Sequence, residues 1–378
     1  MPYYYSLKYK IRDRAERARV IANLRALQDQ LDAEIPDKDA DQNLLLATWN
    51  IRDFDKPGSR YGFGKREVES FYYIAEILSR FDFVAVQEVN ELDEWEDVMR
   101  ILGPDWDYIA TDVTDRALGG NGERLTFLYD KRKLRFQHIS GEIVLPSKWL
   151  ISQSLVETEE GKKLYSGKQF RRTPFVTSFQ SGWFKFDICT VHIYFGEESG
   201  AKLEERCEEI ETIAKYFGKR AKKANHDDKA LILLGDFNIR HPDHKTMKAL
   251  TGQGFTVPKT LQDPTNFSGT KYYDQIAFIA EDEVLDYIET ETNDLKQANA
   301  GILDIYKNLY KTGQWKEYKR QMQRSPNGEG LSDTELKKYY KKWLTYQLSD
   351  HRPLWVRIKT NDRAAYLDQM RADALANS

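Results

Sequence analysis

Several apolar runs in this chain end on, or are interrupted by, a carboxylate, a carboxamide or an imidazole. Asn50 closes LLLATWN, Glu88 closes FVAVQE, His192 interrupts CTVHIYF, Asp236 and Asn238 close LILLGDFN, Asp274 opens YDQIAFI, and Asp350-His351 precede PLWVRI. One polar residue at a strand end is ordinarily a turn former or cap. Six ends sharing the pattern point instead to a site at one end of a sheet, where rigid strands fix geometry and loops leave room for substrate. Asn, Glu and Asp offer hard oxygens and no Cys/His cluster accompanies them, so a metal here is expected to be Mg²⁺, with Mn²⁺ as an alternative, rather than structural zinc. Mg²⁺ is held by few protein carboxylates plus water and substrate phosphate, which points to phosphate chemistry. Hydrolysing a phosphoester requires an activated water and neutralised charge on the phosphoryl oxygens. His351 and His192 can supply proton handling and donors, while Asp236 and Asn238 can orient the water or the leaving oxygen.

These residues need a scaffold, and the chain alternates short apolar runs with helical stretches beyond Gln42. The runs lie at 44–51, 83–89, 125–130, 175–180, 184–195, 231–237, 273–279 and 353–358, with helices expected over Ser70 to Arg80 and Gly200 to Lys223. Strands dominate the core, and an α/β layered sandwich fits. No internal repeat of 20–50 residues is present. From Leu7 to about Ile35 apolar residues recur at helical spacing, with Val20, Leu24, Leu27 and Leu31 on one stripe. The spacing predicts one amphipathic helix, which would dock on the main domain or pair with a second copy; docking is favoured. The polar stretch Pro36 to Asp41 reads as a linker. Residues 281–347 look inserted: between 296 and 343 there are eleven Lys+Arg against five Asp+Glu. Lysines interleaved with Tyr306, Tyr310, Trp315, Tyr318, Tyr339, Tyr340 and Trp343 suit a phosphate backbone with bases to stack on. They equally suit a helical hairpin that buries its aromatics and exposes its lysines.

The ordered pieces TWNI, VQE, GERLTFLY, RRTPF, TVHIY, GDFN, YDQI and SDHRP, spread across 44–280 and 348–358, resemble the endonuclease/exonuclease/phosphatase superfamily, and GERLTF and RRTPF resemble its deoxyribonuclease I branch most. The resemblance implies a four-layer sandwich of two packed mixed β-sheets flanked by helices, with the site at one end of the sheets. It implies a divalent-metal-dependent hydrolase of phosphodiester bonds, a DNA endonuclease in the first instance. Carried over by position, Asn50 and Glu88 resemble metal ligands, with Asp350 contributing to the same site. His351 resembles the catalytic histidine, polarised by Asp274. His192 resembles the second histidine, partnered by Glu123; Asp236 and Asn238 resemble the pair holding water and phosphate, and Arg172 the phosphate-contacting arginine. One departure concerns Asn121, which stands where that branch has a tyrosine packed against the DNA sugar, and bears on duplex preference rather than on hydrolysis.

On this reading the chain divides into an N-terminal helix and linker (1–41), the catalytic domain (42–358) with a basic helical insertion at about 281–347, and a C-terminal tail (359–378). Two alternatives are weighed against a nuclease. A phosphoesterase acting on a phospholipid, inositol phosphate or small nucleotide would keep the chemistry, but exposed apolar loops and an export signal are not found. A non-catalytic binding module would discard the chemistry, yet every expected polar position is filled. The weaker signals have plain readings. His241 and His244 form HxxH around a turn at Pro242 without a third ligand, His138 and His226 read as surface residues, and Cys189 reads as a small core residue. Tyr3, Tyr4 and Tyr5 are expected to pack locally.

The composition sets bounds. The chain has 378 residues, 40% hydrophobic and 31% charged, with 57 Lys+Arg against 60 Asp+Glu and a net charge of −3. Mean hydropathy is −0.68. No run of about 18 apolar residues occurs, and the basic opening lacks an apolar core, so neither a spanning helix, membrane partner nor export signal is expected. Two cysteines suit a reducing compartment, and the expected location is cytoplasmic. Any attraction for nucleic acid must be local, because the whole chain is slightly acidic. Residues 1–35 or 281–347 are candidate surfaces for a regulatory partner or self-assembly.

Overall fold

The computed structural model describes residues 1–55, 61–113, 122–157, 163–220 and 229–376. Asn121, His226 and residues 221–223 of the expected second helix lie outside them.

Thirteen strands are described: β1 (Asn43–Phe54), β2 (Phe83–Val89), β3 (Trp106–Ala110), β4 (Arg124–Asp130), β5 (Arg135–Glu142), β6 (Ile151–Glu157), β7 (Lys163–Lys168), β8 (Phe175–Ser181), β9 (Phe184–His192), β10 (Lys229–Asp236), β11 (Asp274–Ile279), β12 (Ala300–Ile302) and β13 (Leu354–Lys359). They form a six-stranded sheet in the order β12-β13-β1-β2-β4-β3, a five-stranded sheet in the order β11-β10-β9-β8-β5, and the pair β6-β7. Both large sheets are mixed: β1 and β2 run parallel, as do β9 and β10, and their other pairings are antiparallel.

Period-two alternation explains the layering. Leu44, Leu46, Phe83 and Ala85 of the first sheet meet Phe179, Phe186, Ile188, Ile232 and Leu234 of the second in a core between the sheets. The intervening residues Leu45, Ala47, Trp49, Val84 and Val86 face outward against α2 (Arg14–Glu34), α3 (Val68–Leu78) and α4 (Leu92–Leu102). On the other side Cys189, Val191, Leu231 and Leu233 face α5 (Ala201–Gly218) and α6 (Lys245–Thr251). Both faces of each sheet are therefore buried in the middle strands, which is why those strands read as unbroken apolar runs. The arrangement is the expected four-layer sandwich.

Two expectations about the flanks are corrected. The N-terminal stretch is two helices, α1 (Leu7–Lys10) and α2, because Asp13 takes extended backbone and its side chain accepts the Glu16 N–H at 2.8 Å, capping a new helix. The stripe Val20, Leu24, Leu27 and Leu31 is buried in the same core as α3 and the insertion. The inserted segment is not a helical hairpin alone. It holds α7 (Asp282–Glu289), the edge strand β12, α8 (Lys319–Gln323) and α9 (Asp333–Gln347), and its aromatics are interior: Tyr310, Tyr318, Tyr340 and Trp343 are each at most 1% exposed. Of the two readings of those aromatics, burial holds. The tail carries a final helix, α10 (Arg363–Ala376).

Candidate active site

Register assembles the site from both sheets. In the second sheet Asp236 lies opposite His192 on one side and Asp274 on the other, so three adjacent strands present three polar side chains at one edge. In the first, Asn50 pairs with Gln87, which brings Glu88 beside it. The pairing of β1 with β2 shifts after Asn50, and that of β2 with β4 shifts between Val86 and Val89. Such bulges re-aim side chains. Glu88 sits at φ 65° and Asn238 at φ 53°, a left-handed conformation that non-glycine residues seldom adopt unless their surroundings impose it. The glycine of GDFN is required sterically: Gly235 has φ +126°, and a Cβ there would strike the Val191 carbonyl.

Two histidine–carboxylate pairs converge on Asp236. His351 Nδ1 lies 2.7 Å from Asp274 Oδ2, which also accepts the Thr265 hydroxyl at 2.7 Å, and the far nitrogen, His351 Nε2, is 3.8 Å from Asp236 Oδ2. His192 Nδ1 lies 2.9 Å from Glu123 Oε1, and its Nε2 is 3.6 Å from Asp236 Oδ2 and 3.8 Å from Glu88 Oε1. Asn50 Nδ2 donates to Glu88 Oε1 at 2.8 Å and to Asp236 Oδ2 at 3.0 Å. Asp236 Oδ1 accepts the Asn238 N–H at 2.9 Å, while Asn238 Nδ2 donates to the Ile193 carbonyl at 2.8 Å. Asn50, Glu123, His192, Asp236, Asn238, Asp274 and His351 are all buried.

Burial opposes charge on His351, but Asp274 and Asp236 prevail and hold its imidazole well above the ordinary range. His192 is raised too: burial and Arg172 oppose the charge, and Glu123 and Asp236 outweigh them. Burial would raise Asp236, yet His351, His192 and the Asn238 N–H draw it below the usual carboxylate range. Glu88 is raised, chiefly by burial and then by Asp53 and Glu123, against the pull of His192.

Two expected residues stand at the margin. Arg172 Nε is directed at Glu123, and the side chain is only 11% exposed. The Asp350 side chain is 38% exposed; its Oδ2 lies 3.2 Å from Arg52 Nη1 and its Oδ1 4.0 Å from His351 Nε2. His241 and His244 are outside the cluster, and His244 Nδ1 caps α6 by accepting the Thr246 N–H at 3.3 Å.

Sequence reading missed the groups that hold these side chains in place. Ser349 Oγ donates to the Asn50 carbonyl and accepts the His351 N–H at 2.9 Å, joining the ends of two strands. Gln87 bridges the sheets, donating to Thr190 Oγ1 at 2.9 Å. Arg206 of α5 is fully buried and spends its guanidinium on three carbonyls: Asn238 at 2.9 Å, Glu197 at 2.7 Å, and Phe195. The one available signal was an arginine on the apolar face of a predicted helix.

The donor set suits a hard divalent cation. Glu88, His192 and Asp236 offer ligand atoms all within 4.8 Å of one another, as do Asp236, Asp274 and His351. Buried carboxylates with one imidazole and no thiolate match Mg²⁺ or Mn²⁺. Asn50 bridges Glu88 and Asp236 through its N–H₂, and a half-turn of that amide would present its oxygen to the same place.

No family model matches the chain. A deoxyribonuclease of Thioalkalivibrio sp. (strain K90mix) is 27% identical over 219 residues, covering 55% of this chain and 50% of the relative. The chain thus spans about half the length of the curated relative it matches. Among solved structures, an endonuclease/exonuclease/phosphatase family protein from Bacteroides thetaiotaomicron is 17% identical, covering 84% of this chain and 98% of that one, with a TM-score of 0.49. The human Nocturnin catalytic domain with bound sulfate is 14% identical, covering 83% and 93%, with a TM-score of 0.46. A mannosyl-6-phosphatase of Bacteroides thetaiotaomicron VPI-5482 is 19% identical, covering 62% and 85%, with a TM-score of 0.45. No helix among the described residues is long and apolar enough to cross a membrane. The order of motifs along the chain, and the two-sheet sandwich that gathers them at one end, match the fold that the resemblance to the endonuclease/exonuclease/phosphatase superfamily implies.

Proposed function

We propose that the chain is a divalent-metal-dependent phosphodiesterase that cleaves DNA by attack of water on a backbone phosphate. The observation that carries this reading is the convergence of two histidine–carboxylate pairs on Asp236, with Glu88 and Asn50 alongside. DNA as the substrate is supported by the deoxyribonuclease relative. Glu88, Asn50 and Asp236 would hold Mg²⁺ or Mn²⁺, with Asp350 drawn in from the mouth, and the ion would supply charge neutralisation on the phosphoryl oxygens.

The chain's own groups divide the remaining work. Asp236, kept ionised by the two imidazoles, orients a water through Oδ2 and accepts its proton. Asn238 fixes Asp236 through its N–H. His351, held charged and aimed by Asp274, donates from Nε2 to a phosphoryl or leaving oxygen. His192, backed by Glu123, presents a second Nε2 donor to the same space. Arg172 braces Glu123 and reaches substrate phosphate with its remaining N–H groups.

The test is incubation with supercoiled plasmid across a divalent-metal series, with EDTA and His351→Ala controls and a panel of small phosphoesters. Nicked or linear plasmid requiring both metal and His351 is expected. Plasmid left intact with every metal would remove the nuclease reading, and turnover of small phosphoesters alone would move the substrate.

A further inference from the structure

The inserted segment separates into two faces that the sequence left entangled. On α9 the residues Leu336, Tyr339, Tyr340, Trp343 and Leu344 are buried, whereas Lys337, Lys338, Lys341 and Lys342 are exposed. None of these four lysines forms an ion pair with a described carboxylate, although the helix carries acids in its first turn. They stand as two like-charge pairs at i,i+4, a spacing that costs a helix stability rather than adding to it.

Their direction is the informative part. At about 100° per residue, Lys338, Lys341 and Lys342 lie within about 60° of Thr345 around the helix axis. The Thr345 hydroxyl accepts from Arg52 Nη1, and the Arg52 guanidinium lies 3.8 Å from the centre of the Tyr346 ring. Arg52 in turn pairs with Asp350 at 3.2 Å, next to His351. The lysine face therefore runs down α9 to the mouth of the site. Each step of four residues advances about 6 Å along the helix.

We propose that this face of α9 is a track for the sugar-phosphate backbone of a nucleic acid strand leaving the active site, so that the substrate is a polymer contacted well beyond the phosphate being cleaved. This rests on the phosphodiesterase reading for its direction, and it names the partner as polynucleotide rather than a small phosphoester. On a chain of net charge −3, three exposed lysines on one helix face, with Lys337 at its edge and none of the four in an ion pair with a described carboxylate, are a local footprint for a polyanion. Buried tyrosines leave no bases to stack on them here, so contacts are to phosphate and carry little sequence preference.

The test uses the full chain and the variant K337Q/K338Q/K341Q/K342Q, binding a fluorescein-labelled 20-base-pair duplex in EDTA over a range of salt. Removing like-charge pairs spares the helix, and a melting curve verifies the fold. The expected result is a log affinity against log salt slope shallower by about 2 to 4, with bis(4-nitrophenyl) phosphate hydrolysis in Mn²⁺ unchanged. Equal affinity and slope for both proteins would overturn the track. So would a wild-type chain that turns over the small ester but does not bind duplex, which leaves the hydrolase reading standing. Lysine-dependent binding by a chain that hydrolyses no phosphoester would sustain the track and remove the hydrolase.

Discussion

The two ends of the first sheet both bury carboxylates, and they treat them differently. At the end away from the site, Asp82 and Asp130 are met by a lysine and an arginine: Lys38 Nζ lies 3.4 Å and 3.8 Å from them, and Arg132 Nη2 is 2.7 Å from Asp130. Asp82 also takes the Leu45 N–H at 2.9 Å. At the site end Glu88, Glu123, Asp236 and Asp274 gather with Arg172 directed at Glu123, while their other close side-chain partners are two imidazoles, an amide and the Thr265 hydroxyl. The imidazoles titrate near neutral pH and the amide can turn around; the guanidinium of Arg132 does neither. The far end is a closed structural pairing. On the proposed function, the site end keeps negative charge in reserve for a cation and donors in reserve for a phosphate.

The sharpest way to break this comparison is to exchange the expected phenotypes of the two ends. His351→Ala should lower phosphodiester cleavage by about 10²–10⁴-fold, the largest loss of rate of any of these substitutions. Arg206→Ala should come next in rate. It frees the Asn238 carbonyl without touching substrate, and cleavage should fall by about 10–100-fold, seen in kcat more than in KM. At the far end the order inverts. Asp82→Asn should cost about 1–3 kcal/mol in urea denaturation, discounted because Lys38 is partly exposed, with cleavage unaltered.

The smallest effect is in pH dependence, where one carboxylate near each end should act with opposite sign. Glu209 is pushed by burial up to about 7 from an ordinary 4.5, against the opposing pull of Arg172. Between those values the native state keeps a proton that the unfolded chain has lost, so this group makes stability fall as pH rises from about 4.5 to about 7. Asp130 does the opposite. Burial would raise it, but Arg132 and Lys38 hold it below the ordinary value, so its contribution is present above pH ~4 and is lost as pH falls through its lowered folded value. Thermal melts from pH 3 to 8 should show Glu209→Gln flattening the upper range and Asp130→Asn flattening the acidic one.

What could be read from the sequence follows from burial. Middle strands such as β1, β2 and β10 are covered on both faces, so they announced themselves as apolar runs to within a few residues. Strands β5, β6 and β7 did not: β5 is largely exposed at a sheet edge and carries no apolar alternation. The N-terminal break had a signal in Asp13, which apolar periodicity alone passes over. In the insertion, counting charges and aromatics could not choose between stacking and packing, because both need the same residues. Around the site, strand-end residues stood out from their apolar neighbours. Ser349 acts across 299 residues of chain and Thr265 through a loop, and nothing beside them in sequence marks them; Arg206 showed only as a charge on an apolar helix face.

The most direct measurement is Mn²⁺ binding followed by electron paramagnetic resonance of the free ion, comparing the wild-type chain with Glu88→Gln and Asp82→Asn. Depletion of the free-ion signal by the wild type and by Asp82→Asn, and its recovery in Glu88→Gln, is what a reserve of charge at the site end predicts. Equal depletion by all three proteins, or none by the wild type, would contradict it.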